Sequence, residues 1–97
     1  MNEEKLKTLA TDLRKQDPRH ASTRLAGLEG AARALDKCRA SLVGWNGEFQ
    51  YGCPMDQMFF REAGIDKDEF KDFVATGAPD REVEQWLKEH AGRTVSH

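Results

Sequence analysis

The chain has 97 residues, 38% apolar and 33% charged, with a formal net charge of −2 and a pI near 5.9. That length allows one domain spanning 1–97 with a modest core, and the near-neutral balance gives no electrostatic reason for a nucleic-acid partner. No segment approaches the roughly 20 apolar residues of a membrane span, and the charged start Met1-Asn2-Glu3-Glu4-Lys5 lacks a signal-peptide core, so a cytoplasmic protein with reduced thiols and no membrane partner is expected.

Hydrophobic periodicity predicts an all-α (mainly) fold, a compact bundle of about five helices with a short β-hairpin in the middle. The first helix, within 1–17, follows Asn2 as cap and carries Glu3 and Glu4 in its opening turn. It places Leu6, Leu9, Ala10 and Leu13 on one face and stops before Asp17-Pro18. After a linker from Pro18 to Ala21, Ser22 or Thr23 can cap a long helix to about Val43, with Leu25, Leu28, Ala32, Leu35 and Leu42 on one stripe. The Asn46-Gly47 pair, flanked by alternating apolar positions, predicts the hairpin within Gly44 to Tyr51. A third helix from Pro54 to about Ala63 turns Met55, Met58 and Phe59 inward and ends at Gly64. A fourth starts at Asp66, with Glu69 completing a capping box, and buries Phe70, Phe73 and Val74. The fifth starts near Pro79 or Asp80, aligns Val83, Trp86, Leu87 and His90, and frays after Gly92 into a disordered tail over 92–97.

Two features carry chemistry. Cys53 precedes Pro54, and proline suits the first helical position, so Cys53 becomes the helix cap with its sulfur beside free N–H groups and the positive end of the dipole. That setting favours thiolate. Asp56 lies three residues on, where it can bond the cap N–H or move a proton as a general acid or base. The second feature is Arg39, which falls in the middle of the leucine stripe and must be held. It can snorkel past the helix end, pair with Asp56, Asp36 or Glu48, or hold an anionic ligand; Asp56 is the favoured partner. Candidate catalytic residues are therefore Cys53 and Asp56, and candidate ligand-binding residues are Arg39, Tyr51 and Glu48.

The opposite face of the long helix carries Gly27, Gly30, Ala31, Ala34 and Ser41, small enough for another helix or a second copy of the chain, a homodimer, to approach closely. Cys38, Cys53 and His20 lack metal-ligand spacing, so no metal and no cofactor is expected. His90 reads as an edge histidine and Cys38 as a small hydrophobe.

From Asp12 to Leu87 the chain resembles the small bacterial domains of domain-of-unknown-function family 5069. The likeness rests on Asp12-Leu13 with Pro18-Arg19, Arg24-Leu25 with Gly27, Arg33 followed by Leu35-Asp36-Lys37-Cys38-Arg39-Ala40, Gly47-Glu48-Phe49, Tyr51, Cys53-Pro54-Met55-Asp56-Gln57, Phe59-Phe60, Gly64-Ile65-Asp66 and Trp86. The departures are Ala26-Gly27 in place of Gly-Gly, Ala31 and Ala34 in place of bulkier residues, and Gly52 in place of an asparagine beside Cys53. The resemblance implies little about function, because that family is named for lacking an assigned activity. The residues support two readings. One is a small α-helical binding or assembly module whose Cys53, Tyr51, Asp56 and Arg39 surface contacts a protein partner or a small anionic ligand; the alternative is a thiol-dependent enzyme or redox protein with Cys53 as nucleophile.

Overall fold

The computed structural model describes residues 2–91 and is mainly helical, about half helix, with a short antiparallel hairpin. Helix α1, Glu3–Leu9, is capped by Asn2, whose side chain accepts from Lys5 N–H at 3.3 Å. It ends a turn and a half earlier than the apolar spacing predicts. Asp12 accepts from the backbone N–H of Arg14 and grips its guanidinium through Nε and Nη2, a local turn that competes with helix. That grip lowers the pKa of the partly exposed Asp12 carboxyl to about 2. Leu13 is still buried, through an N–H bond to the Trp45 carbonyl.

The hairpin lies earlier than expected. Strands β1, Arg24–Leu25, and β2, Leu28–Glu29, pair Arg24 with Glu29 and Leu25 with Leu28. The two turn residues, Ala26 and Gly27, have φ of +57° and +76°, the backbone that twists a two-residue turn into register. Gly30 follows at φ +89° as the cap of α2, Ala31–Leu42. Two glycines so close, each at positive φ, keep the long predicted helix from starting at Ser22 or Thr23. Around Asn46-Gly47 the chain turns without forming strands: Phe49 N–H bonds the Asn46 carbonyl and the Asn46 amide bonds the Phe49 carbonyl. This segment packs on the N-terminal stretch, and a Cβ on Gly47 would stand 3.0 Å from the Leu13 carbonyl.

Helix α2 is buried on almost every side, from Ala31 through Ala40 apart from Arg33. Ala31 and Ala34 are completely enclosed within the chain itself, so those small side chains are not a free surface for a second copy. Helix α3 runs Pro54–Ala63 and closes with Gly64 in the left-handed region. Its inward residues are Asp56 and Phe60, four apart, with Phe59 at the edge. Met55 and Met58, expected inside, stand 58% and 54% exposed. Helix α4, Lys67–Val74, begins at Asp66, which accepts from Asp68 and Glu69 N–H and buries Phe70 and Val74. Helix α5, Asp80–His90, follows Pro79 and buries Val83 and Leu87. Glu84 accepts from Ala26 N–H and ties α5 to the hairpin turn.

The core joins Leu6, Leu25, Leu35, Cys38, Phe60, Ile65, Phe70, Val74, Val83 and Leu87. An aromatic row runs along one side: Tyr51 meets Phe60 edge-on at 5.8 Å, Phe60 meets Phe70, and Phe70 meets Trp86. Trp86 stacks between Phe73 at 5.6 Å and His90 at 4.0 Å. Trp45 lies in the N-terminal packing, under the Arg14 guanidinium. No helix among the described residues is long and apolar enough to cross a membrane. The tail expected over 92–97 lies outside the described residues.

Candidate functional site

Cys53 occupies the cap position of α3 with extended backbone, φ −64° and ψ 168°, and Pro54 fills the first helical position. The cysteine is partly exposed. Its sulfur faces Lys37, whose ammonium Nζ donates to Sγ at 3.0 Å, and stands near the Met55 and Asp56 N–H groups without a capping bond of good geometry. The same Nζ lies 3.0 Å from Asp56 Oδ2, and the Lys37 and Asp56 side chains are each only 4% exposed. Asp56 also accepts from the Gly52 N–H, one residue before the cap position that the sequence spacing suggested. A buried ammonium therefore bridges a carboxylate and a thiol at the mouth of a helix.

Electrostatics here are a contest. Burial works against a charged Cys53, while the Asp56 N–H, the Lys37 ammonium and the Met55 N–H favour it; the Asp56 carboxylate opposes it. The favourable group prevails, and the Cys53 thiol is held below its ordinary value. Cys38 is the opposite case. It is completely buried on α2, and burial pushes its thiol up to about 12. The thiolate form is favoured at Cys53 and disfavoured at Cys38.

Of the other expected site residues, Arg39 and Glu48 lie elsewhere. Arg39 does not reach Asp56 or Glu48: its Nη1 donates to Asp80 Oδ1 at 2.8 Å and its Nη2 to the Ala78 carbonyl at 2.9 Å. Arg39 projects from α2 toward the start of α5, whereas Lys37, two residues earlier, points away toward α3. Asp80 also accepts from Arg19 at 2.9 Å, and Arg19 in turn grips Asp36 through its backbone N–H, Nε and Nη2. Two arginines and two aspartates therefore meet here, and the buried Arg39 Nε has no hydrogen-bond partner among the described residues. Burial raises the Asp80 carboxyl but the Arg39 and Arg19 bonds outweigh it and hold it below the usual carboxylate value. Tyr51 donates its hydroxyl to the Lys67 carbonyl at 2.7 Å and packs its ring on Phe60 and Phe70; burial drives its phenol well above the ordinary range. Glu48 is exposed and lines a shallow surface hollow with Arg14 and Lys15, apart from Cys53.

Lys37 is the residue that sequence reasoning missed. Its signal was present: Ala34 and Ser41, three before and four after it, place a lysine on the small-residue face expected to be covered. A covered lysine needs an anionic partner. Asp80 and Arg19 were missed because they lie 41 and 20 residues from Arg39, beyond any local pattern. Among the described residues no three His, Cys, Asp or Glu side chains gather as metal donors.

No curated protein matches the sequence. The model of the family described as domain of unknown function (DUF5069) matches residues 15–97, which include α2, the Cys53 helix start and Lys37, and the chain belongs to that family.

Proposed function

We propose that the protein works through Cys53 as a lysine-paired thiolate, as a thiol-dependent enzyme or redox protein. The observation that carries the reading is the 3.0 Å contact between the buried Lys37 ammonium and a partly exposed sulfur at a helix start. A thiolate, not a thiol, attacks electrophiles, and a fixed cation beside it raises the thiolate fraction at neutral pH. Asp56 holds the ammonium in place and offers a carboxylate to which a proton can pass.

The test is alkylation by iodoacetamide as a function of pH, read by intact-protein mass spectrometry. Cys53 is expected to react with a midpoint below the ordinary thiol value of about 8.5, and Cys38 only after unfolding. Lys37→Met should move the Cys53 midpoint upward, because the cation that favours the charged sulfur is gone. A Cys53 midpoint at or above the ordinary value would overturn the reading.

A binding or assembly role without turnover is the second reading, favoured by Met55 and Met58. Both are exposed and line a cavity of about 310 Å³ with Phe59, Arg33 and Glu62. It asks nothing of Cys53, so an unreactive Cys53 would favour it.

A further inference from the structure

We propose that Lys37 and Cys53 form a modification site: when a peroxide oxidises Cys53, the Lys37 amine condenses with it to give a covalent sulfur–nitrogen cross-link between α2 and the start of α3. The proposal rests on the thiolate reading above and names the regulation of that same site. Three features of the geometry support it. The nitrogen and the sulfur are already 3.0 Å apart. The sulfur is partly exposed and open to a small oxidant, while Lys37 is 4% exposed and shut away from every electrophile except its neighbour. The other thiol, Cys38, is completely buried and held neutral, a poor resolving partner.

The chemistry balances with a hydroperoxide as oxidant. Cys53 thiolate attacks the peroxide O–O bond; sulfur gains the terminal oxygen and becomes a sulfenic acid, and with hydrogen peroxide the departing hydroxide takes a proton from solvent and leaves as water. Oxidation cancels the negative charge on sulfur, so the ammonium loses one of its two anionic partners. Lys37 then passes a proton to the Asp56 carboxylate 3.0 Å away, and its freed electron pair attacks sulfur. The S–O bond breaks, hydroxide leaves and takes the second amine proton as water, and an S–N bond remains. Sulfur has been oxidised by two electrons, the peroxide reduced by two, and a thiol reductant reverses the step. The product would block further oxidation to the irreversible sulfinic acid, as known condensation of sulfenic acids with nitrogen does.

Cys38→Ala leaves Cys53 as the sole thiol, so a link within the chain must run to nitrogen, and loss of cleavage after Lys37 separates its amine from a backbone amide. After hydrogen peroxide this protein should weigh about 2 Da less than before, and trypsin applied after denaturation without reductant should no longer cut after Lys37. Dithiothreitol should restore both mass and cleavage. In the unsubstituted protein the trypsin readout serves equally, because a disulfide would leave Lys37 cleavable. A dimedone-trapped sulfenic acid, a sulfinic acid or a disulfide at Cys53, with cleavage after Lys37 retained, would overturn the cross-link while leaving a reactive thiolate intact. A Cys53 that peroxide does not touch and that alkylates like a free thiol would overturn the cross-link and the thiolate reading together.

Discussion

Lys37 and Asp56 are both almost fully buried, and an ion pair in that setting is costly to make and more costly to break. Removing either partner strands the other charge away from water, so Lys37→Met and Asp56→Leu should each destabilise by about 3 kcal/mol or more. Replacing both with apolar side chains of similar volume removes both desolvation costs, and the double variant should be more stable than either single one. A double-mutant cycle in urea measures this; coupling indistinguishable from zero would mean the pair contributes nothing as a pair. Arg39 illustrates how far residue-level reading reaches. Its place on the leucine stripe correctly demanded a hydrogen-bonded anchor, but the anchor, Asp80, is brought in by the chain's return at α5. Local spacing shows that a charge needs a partner and is silent on which partner tertiary structure supplies.

Elements whose ends carry strong chemical punctuation were legible. Pro54 and Gly64 bracket α3, Asp66 starts α4, and Pro79 starts α5, because ring geometry, a missing Cβ and a carboxylate cap act on the local backbone whatever surrounds them. The hairpin was misplaced for the converse reason. Asn46-Gly47 has the favoured turn chemistry, but its flanks pack on Leu13 and Trp45 is tied to that leucine, so the strands have no partner in each other. Ala26-Gly27 has weaker chemistry and does form the turn, with Ala26 held at φ +57°. An alanine there strains against its own Cβ. Ala26→Gly should therefore stabilise by about 0.5 kcal/mol, the relief of strain exceeding the added freedom of the unfolded chain. Thermal melts of the two proteins decide it, and an unchanged or lower midpoint would mean that the turn is not strained.

Across the whole molecule, burial sets the response to alkali. Cys38 and Tyr51 both have raised values, so the fold favours their neutral forms. The stability they contribute is fully present below their unfolded values, about 8.5 and 10, and is lost as pH rises toward the folded ones. Cys53 acts in the opposite sense: its lowered value adds stability as pH rises past it, a small contribution because the thiol is partly exposed. The two raised groups should dominate, and the urea midpoint should fall steadily above about pH 9. Cys38→Ala with Tyr51→Phe should flatten that fall. A midpoint constant to about pH 10.5 in the unsubstituted protein would contradict the burial of both groups.

The two tryptophans sit in different layers, Trp45 under Arg14 in the N-terminal packing and Trp86 in the stack of Phe73 and His90 on the far helix. Each indole is thus a built-in optical probe of its own region. With Trp45→Phe the remaining emission follows the α4–α5 stack, and with Trp86→Phe it follows the docking of the N-terminal stretch onto the Gly47 turn. Coincident curves from the pair would describe one cooperative unit, and separated curves would date the opening of one layer against the other.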